Sequence, residues 1–408
     1  MGGGLIQLAT KGAEDIYLTG DPEITFFKAV YNKYTHFSRE RCPIFFDKNF
    51  ENGQKSTATI VRNADLVSGI TLTFKTNQIK TQTNNAGILV TDRKYSTYIN
   101  YIDLKIGTNL IDRRYGEFLD MWHELTTTQD KMGGKMHDPK RASNSTAFQE
   151  ILRTGTLEMM GNALGTYNTA SDTTFVVAIP LDFWFNKDTG FALPLISLQF
   201  HQVTIEVNFK EVLPADNLKG GNTLGENFTS DEQLLVDYYY LDTPERTMFT
   251  ETGQEYLIEQ LQFEDNIPVT NTAPGSTNVL DFTFNHPVKE LFWKLFKSNG
   301  ETVKRYEYSN ITLNGTDLTN PHPSYAFSFI EPLHFHTRIP ANGDIFIHSF
   351  ALRPEELQPS GTMNLSRIEK ANLVVKNEPG TAFTKAVIYA TSYNVLKIQS
   401  GMAGLAFS

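Results

Sequence analysis

The feature that most constrains how this chain can fold is a period-two alternation of apolar and polar residues. In segment 70–75 the apolar residues are Ile, Leu and Phe, and in 203–210 they are Val, Ile, Val and Phe. Successive side chains of a β-strand point to opposite faces, so each segment is predicted to form a strand with one buried face. Similar short apolar runs lie at 175–179, 234–241, 280–284, 345–350, 373–375 and 387–390. Many short strands predict a sandwich or barrel architecture.

Turn and helix signals interrupt these runs. Helices are predicted over 115–125 and 146–160, and a third helix is predicted to start at Thr243-Pro244-Glu245-Arg246, with the proline one residue inside a threonine cap. Segment 25–34 fits either a helix or an irregular arm, because its aromatic residues recur at four-residue spacing. Asn-Gly pairs that favour tight turns stand at 52–53, 314–315 and 342–343.

Length and composition agree with this architecture. The 408 residues suffice for two domains of about 150 to 200 residues each. Aromatic residues make up 12% of the chain, with 29 Phe and 17 Tyr, and such rings suit the half-buried surface of a sheet. Hydrophobic residues make up 40%, which argues against global disorder.

Charge and cysteine content disfavour several classes of protein. Acidic residues outnumber basic ones by 46 to 36, and the net charge of −10 opposes a main role in gripping nucleic-acid phosphates. The one cysteine, Cys42, can form no internal disulfide. The first residues lack the regions of a signal peptide, and no run approaches the roughly 20 apolar residues that span a bilayer, so neither secretion by that route nor membrane embedding is expected. The five Asn-x-Ser/Thr sequons are then expected to be chance occurrences; they begin at Asn144, Asn227, Asn310, Asn314 and Asn364.

The chain also resembles itself at half its length. Segment 103–110 is similar to 310–318, each a predicted strand followed by a Gly-Thr turn, at an offset of about 207 residues. A weaker similarity pairs Phe185 and Pro194 with Phe350 and Pro359, at an offset of 165. The two offsets differ by about 40 residues, which predicts an insertion of that length within 116–172. The pattern predicts two similar β-domains in tandem.

No motif for a catalytic, cofactor-binding or metal-binding site is convincing, and no such site is predicted. His334-Phe335-His336, on a predicted strand, is the one close histidine pair, but Pro340 and Ala341 stand where a cupin metal site needs a glutamate. Gly133-Gly134-Lys135 lacks the Ser or Thr that follows in a phosphate-binding loop. Cys42 has no activating partner nearby in sequence.

The most specific signal is a set of blocks that keep one order along the chain. They include Gly-Ala-Glu-Asp-Ile-Tyr-Leu-Thr-Gly at 12–20, Pro-Glu-Ile-Thr-Phe-Phe-Lys at 22–28 and Tyr-Leu-Asp-Thr-Pro-Glu-Arg at 240–246. Further blocks lie at 3–8, 30–37, 191–199, 255–262, 284–287, 349–352, 358–362, 364–368 and 393–406. Together they closely resemble the major capsid proteins of nucleocytoplasmic large DNA viruses, and the algal-virus branch most of all.

The resemblance implies an all-β double jelly roll, with two tandem eight-stranded antiparallel jelly-roll sandwiches and a few short helices in loops. By the family layout, 1–24 form an amino-terminal arm, 25–242 the first jelly roll with a helical insertion at about 126–172, and 243–408 the second jelly roll. The implied function is structural and not enzymatic. The subunit would self-assemble into pseudo-hexagonal homotrimeric capsomers of the icosahedral shell of a large double-stranded DNA virus.

The resemblance also implies partners. These are other copies of the chain, in the trimer and in neighbouring capsomers, and minor capsid proteins under the shell. An inner membrane is expected nearby but not spanned, no direct nucleic-acid binding is expected, and the location is the virion capsid, assembled in the host cytoplasm. The start Gly2-Gly3-Gly4 suits an arm that orders only against a neighbour on the inner capsomer face.

Two other functions of a β-sandwich stay open on sequence alone. A glycan-binding jelly roll would expose Trp or Tyr in its loops, whereas Trp122, Trp184 and Trp293 lie near apolar runs. A cupin-type metalloenzyme would hold a stoichiometric transition metal, which metal analysis of the purified protein would detect.

Overall fold

The computed structural model describes residues 3–48, 54–77, 96, 99–128, 134–135, 153–154, 174–210, 229–265 and 267–407. The chain divides into a unit of residues 1–37 and a unit of residues 38–408. In the first unit, helices α1 (Gly3–Ala9) and α2 (Ile16–Thr19) are followed by turns and irregular backbone. The helix considered for 25–34 does not form, and the irregular alternative is correct.

The strands up to residue 241 form a two-sheet sandwich. One sheet has the order β1-β11-β3-β8, with β9 beside β3, and the other has the order β2-β10-β4-β5, while β6 and β7 pair only with each other. The strands are β1 (Phe37–Phe45), β2 (Lys55–Ile60), β3 (Leu66–Asn77), β4 (Ile99–Ile106), β5 (Asn109–Tyr115), β6 (Gly134–Lys135), β7 (Arg153–Thr154), β8 (Thr174–Pro180), β9 (Leu193–Pro194), β10 (Val203–Phe209) and β11 (Thr229–Leu241).

The strands from residue 254 onward form a second sandwich with the same plan. Its sheets have the orders β12-β20-β14-β17 and β13-β19-β15-β16, with β18 beside β14 and β21 beside β20. The strands are β12 (Gln254–Glu264), β13 (Thr277–Phe282), β14 (Pro287–Phe296), β15 (Tyr308–Leu313), β16 (Thr316–Asp317), β17 (Phe346–Ser349), β18 (Met363–Asn364), β19 (Ala371–Lys376), β20 (Lys385–Gln399) and β21 (Met402–Leu405).

Strand order confirms the predicted duplication. Nine strands of the first sandwich have a counterpart at the same place in the second: β1 to β5 correspond to β12 to β16, and β8 to β11 correspond to β17 to β20. The hairpin ends at Ile106 in one copy and Leu313 in the other, which reproduces the predicted offset of about 207 residues. Even a bulge recurs, at Asp237/Tyr238 in the pairing of β11 with β3 and at Val288/Glu290 in the pairing of β14 with β20. In each copy the main path of each of the two sheets has four strands, and these eight antiparallel strands make the copy a jelly roll.

The second predicted similarity needs a correction. Pro194 pairs with Leu66 in β9, and the residue at the same place in β18 is Asn364, which pairs with Pro287, so Pro359 is not its counterpart. A proline recurring after a phenylalanine was a coincidence of loop composition. The connection from β5 to β8, residues 116–173, is longer than the corresponding one from β16 to β17, residues 318–345, and its strands β6 and β7 have no counterpart in the second sandwich. Residues 129–133, 136–152 and 155–173 lie outside the described residues.

Helices occupy the connections between strands. The helix predicted over 115–125 is confirmed as α3 (Gly116–Thr126), and the predicted start at 243 is confirmed, although the cap is Asp242, whose carboxylate accepts a hydrogen bond from the Thr243 amide at 2.7 Å. The helix predicted over 146–160 lies outside the described residues except for β7. The other helices are α4 (Trp184–Lys187), α5 (Thr243–Glu251), a π-helical turn (Ala326–Ile330) that continues as α6 (Glu331–Phe335), and 3₁₀ turns Thr189–Phe191, Leu195–Ser197 and Leu365–Arg367. Among the described residues no helix is long and apolar enough to span a membrane.

Each sandwich has an apolar core between its two sheets, and the cluster of the first core continues into the second sandwich, where Ile258, Leu396 and Ile398 belong to it. Leu72, Leu104 and Val236 belong to the first core, and Trp293 and Leu373 belong to the second. The boundaries predicted for the arm, the two jelly rolls and the insertion stay predictions.

Gly116 sets how closely α3 approaches the first sandwich. A Cβ added at Gly116 would clash with the carbonyl oxygen of Ile99 and lie 3.0 Å from Cα of Ser96. We expect Gly116→Ala to lower the free energy of unfolding by about 1–3 kcal/mol, because backbone atoms cannot move aside cheaply. Gly404→Ala is the matched control, since a Cβ there meets nothing within 4 Å, and urea unfolding measures both. Equal stability of the two variants would contradict the close approach.

Candidate assembly interface: the junction between the two sandwiches

The two sandwiches meet where α3 packs on the outer face of sheet β12-β20-β14-β17. This contact forms a third buried apolar cluster, separate from the two sandwich cores. The cluster, called the junction below, contains Phe118, Met121, Trp122 and Leu125 of α3 with Leu261, Phe292, Ile345, Ile347, Val387 and Tyr389 of the second sandwich.

The spacing of apolar residues in α3 explains why one helix serves both sandwiches. Residues 118, 121, 122 and 125 recur at the three- and four-residue intervals that form one stripe of a helix. Leu119 lies off this stripe and packs into the first core. The sequence predicts a helix here. The apolar stripe alone does not predict that it packs on sheet β12-β20-β14-β17 of the second sandwich.

Aromatic rings supply much of the contact area of the junction. Phe118 meets Phe292 edge to face with ring centroids 5.4 Å apart, and Trp122 meets the same ring at 6.2 Å. Tyr115, at the end of β5, lies over Phe263 with centroids 4.1 Å apart. Edge-to-face and offset pairs of this kind stabilise a contact beyond the area that they bury.

Burial from both sides changes what β14 can contain. Every residue from Val288 to Leu295 is buried, because the strand is covered on both sides: Leu291, Trp293 and Leu295 face the second core and Phe292 faces the junction. Charged residues in such a strand need partners, since an isolated buried charge is costly. The partners are provided by both sandwiches.

Glu259 is the centre of a buried ion cluster that spans the two sandwiches. Its two carboxylate oxygens contact Lys187, which ends α4 of the first sandwich, and Lys289 of β14. Burial would raise the pKa of Glu259, but the two ammonium groups outweigh it and hold the pKa at about 2. Burial lowers the pKa of Lys289 to about 8 against the opposing attraction of Glu259. Lys187 also lies 4.4 Å from the ring centroid of Trp122, as a cation–π contact.

Strand β5 meets β12 through side-chain to backbone hydrogen bonds. The amide of Leu261 donates to Asp112 Oδ1 at 3.0 Å, and the Gln260 side chain donates to the carbonyl of Ile111. Arg114 forms a buried ion pair with Asp112 at 2.8 Å. Burial raises the pKa of Asp112, and Arg114 opposes this rise.

The far end of α3 is tied to the segment that follows α6. The amide of Arg338 donates to the carbonyl of Leu125 at 2.9 Å, and the amide of Ala341 donates to Glu124 Oε1 at 2.6 Å. His336 belongs to this segment, and its ring lies next to the Trp122 ring of α3. Its Nε2 is 2.6 Å from a carboxylate oxygen of Glu290, and its Nδ1 is 3.1 Å from one of Glu355. Burial would lower the pKa of His336, but the two carboxylates raise it to about 9.

The structure places His334 in α6 and His336 directly after it, and not on a strand as expected. His334 is exposed on α6, and both ring nitrogens of His336 contact carboxylates, so the two do not form a bidentate metal site. Within the described ranges no group of three or more His, Cys, Asp or Glu side chains could hold a metal ion. Cys42 is partly buried in β1, and burial raises the pKa of its thiol.

Residues weighed for glycan binding or glycosylation are distributed as follows. Trp122, Trp184 and Trp293 are all buried, so none provides an exposed ring for a sugar. Of the sequons, Asn310 is buried in β15, Asn314 and Asn364 are exposed, and Asn144 and Asn227 lie outside the described residues.

Comparisons with known proteins agree along the whole chain. Residues 25–242 match the family model described as the major capsid protein N-terminus, and residues 245–404 match that of the large eukaryotic DNA virus major capsid protein. The chain is 36% identical to the major capsid protein of Pyramimonas orientalis virus and 30% identical to that of Paramecium bursaria Chlorella virus 1, with all of each chain covered. It also resembles a chain of the quasi-atomic PBCV-1 virus capsid, with a TM-score of 0.75 and 26% identity, over 94% of this chain and 100% of that one.

The ion cluster at Glu259 generates a prediction about stability. We expect Glu259→Gln to lower the free energy of unfolding by about 3–5 kcal/mol, because Lys187 and Lys289 lose their buried counter-charge. Adding Lys289→Met should recover part of the loss, since it removes one uncompensated charge. Glu255→Gln is the matched control: Glu255 lies on the same strand, is exposed and pairs with Lys397, so it should cost less than about 1 kcal/mol. Equal losses in the two glutamine variants, measured by urea unfolding, would disprove the bridging role.

His336 makes the junction sensitive to alkaline pH. Its folded pKa of about 9 lies above the ordinary value of about 6.5, so its contribution is fully present below about pH 6.5 and is lost as pH rises through 9. We expect the wild type to lose about 2–3 kcal/mol more than His336→Gln over this range. Unfolding free energies measured at intervals from about pH 6.5 to about pH 9.5 would test this, and parallel profiles would contradict it.

Proposed function

The chain belongs to the large eukaryotic DNA virus major capsid protein family, and from this premise we propose that three copies form a pseudo-hexagonal capsomer of an icosahedral shell. The chain is a structural protein and not an enzyme. The observation that carries the proposal is the duplication of one jelly roll within a chain whose two copies are joined by a buried junction. Three such chains arrange six similar sandwiches around one axis, so threefold association yields a nearly sixfold shape. A hexagonal unit of this kind can tile a shell whose units have six neighbours.

The junction supports this proposal through its rigidity. A capsomer keeps its outline only if the two sandwiches of one chain do not move relative to one another. The apolar stripe of α3, the Glu259 cluster and the hydrogen bonds between β5 and β12 all join the two sandwiches. Two domains of one chain move relative to one another by default unless the interface between them is large and apolar, and this interface is apolar and reinforced by buried charge.

We further propose the domain layout and the partners. Residues 1–24 serve as an arm, 25–242 as the first jelly roll with an insertion at about 126–172, and 243–408 as the second. The arm lies on the inner face of the capsomer, where it meets minor capsid proteins near an internal membrane. The exposed apolar side chains of the arm, such as Tyr17, Leu18 and Ile24, support a segment that is buried only after assembly.

We also propose that the shell is assembled in the host cytoplasm and does not bind the genome directly. The net charge of −10 supports this, because a shell separated from nucleic acid by a membrane needs no basic inner surface. A single cysteine suits a reducing compartment, since nothing in the chain depends on a disulfide.

Size-exclusion chromatography with light scattering, followed by electron microscopy, tests the proposed function. We expect the purified full chain to have three times the mass of one copy and to form hexagonal particles about 75 Å across, from six sandwich-sized units. A variant without residues 1–20 should still form trimers, because the proposed arm acts between capsomers. A wild-type chain that remains monomeric at micromolar concentration would overturn the proposal.

A further inference from the structure

The second sandwich exposes an apolar helical face that the first sandwich keeps buried. In the π-helical turn and α6, the side chains of Phe329, Ile330 and Leu333 are 49%, 39% and 54% exposed. Exposed single apolar residues are common, but a contiguous patch on one face marks an interaction site. These three residues are called the outer helix patch below. Leu333 lies three residues after Ile330 and four after Phe329, which are the spacings that share a helix face.

The duplication identifies what this patch corresponds to. The segment lies between β16 and β17, and α3 lies at the same place in the first sandwich, after β5 and before β8. In each copy one residue of the helix packs into its own core, Leu119 in the first and Phe327 in the second.

Aligning those two anchors places the outer helix patch on the buried stripe of α3. Phe329, Ile330 and Leu333 then take the places of Met121, Trp122 and Leu125, which are buried in the junction. The π-helical turn contains the anchor Phe327 and the patch residues Phe329 and Ile330, and such turns often occur at functional sites.

The duplication also identifies the surface that such a helix covers. In the junction α3 packs on Phe292 and Tyr389 of the second sandwich. The shared bulge fixes the alignment of β3 with β14 and of β11 with β20, so the counterparts of these two residues are Thr71 and Leu235. Both lie on sheet β1-β11-β3-β8, are only partly buried, and fall outside the buried apolar clusters of the described residues.

The two surfaces are therefore the unused halves of a contact that the chain makes once. A head-to-tail contact between similar units leaves one free helix and one free sheet face on each chain, and it closes into a ring when the rotation allows. Because the outer helix patch is exposed in the chain, the second occurrence of this contact must join different copies.

We propose that the outer helix patch packs on the sheet β1-β11-β3-β8 of a second copy, at Thr71 and Leu235, and so forms the contact between subunits. The inference rests on the proposed trimer and names the surfaces that hold it together. Around the ring, contacts within a chain alternate with contacts between chains, and both use a helix on the outer face of a neighbouring sheet.

Substitutions in the patch test this contact in the full-length chain. We expect the double variant Phe329→Glu/Leu333→Glu to remain folded, because both side chains are exposed, and to weaken trimer formation by on the order of a hundredfold or more. Val279→Glu is the matched control: Val279 is similarly exposed, at 46%, but lies on β13 in the other sheet of the same sandwich. Light scattering measures association, and urea unfolding of the monomeric fraction verifies the fold.

A designed disulfide tests the pairing of the two surfaces directly. In a Cys42→Ser background, Ile330→Cys and Thr71→Cys together should give covalent dimers and trimers on a denaturing gel without reductant, as Trp122 contacts Phe292 in the junction. Each single cysteine variant should migrate as one chain. The control pair combines Ile330→Cys with Thr312→Cys, which lies on β15 in sheet β13-β19-β15-β16 of the second sandwich. This pair should give no covalent dimers or trimers, because that sheet is not part of the proposed contact.

The outcomes separate this inference from the proposed function. If the wild type and the double glutamate variant both form trimers, and the Ile330/Thr71 cysteine pair gives no covalent dimers or trimers, the inference is overturned and the proposed trimer remains supported. A monomeric wild type would overturn both. Loss of trimers only in the glutamate variant, together with covalent dimers and trimers only in the Ile330/Thr71 pair, would establish the contact.

Discussion

The rest of the structure depends on one contact, the packing of α3 on the outer face of sheet β12-β20-β14-β17. An antiparallel sandwich ordinarily keeps its outer faces in water, and polar residues then alternate with apolar ones along each strand. Covering one outer face removes that water. The sheet must then bury apolar residues on both sides, and buried charges in it such as Glu259, Lys289 and Glu290 need partners. Lys187 and His336 provide them, one from each sandwich.

The duplicated sandwiches therefore share an interior and differ on the outside. Strand β3 of the first sandwich corresponds to β14 of the second. At their inward positions Ile70 corresponds to Leu291 and Leu72 to Trp293, so the inward residues are apolar in both strands. At an outward position, Thr71 corresponds to Phe292. The inward positions preserve the fold. The outward positions differ, because the outer face of β14 is buried in the junction whereas that of β3 is partly accessible. A jelly roll can thus be copied within a chain while its outer faces acquire different roles.

This distinction explains how much of the structure the sequence could predict. Strands such as β10, with one wet face, show the alternation and were predicted, as was the hairpin at Asn314-Gly315, where both residues have positive φ as a type I′ turn requires. Strand β14 was missed, because burial on both faces removes its alternation. The helix α3 was predicted, but its target sheet was not, since an apolar stripe records that a partner exists and not which one. The surroundings of His336 were equally hidden, because Glu290 and Glu355 are distant in sequence. The family resemblance provided the tandem fold that local patterns only suggested.

The difference between the two helix contacts bears on the order of assembly. The contact within the chain buries large aromatic rings and several ion pairs, and breaking a buried pair is costly, so it belongs to the folded subunit itself. The outer helix patch consists of three moderately sized apolar side chains, and Thr71 and Leu235 opposite it are smaller than Phe292 and Tyr389. An exposed patch of this size is compatible with a soluble subunit at low concentration. A chain built this way folds first as a rigid pair of sandwiches and associates afterwards, because the contact between copies needs no buried charge to be desolvated.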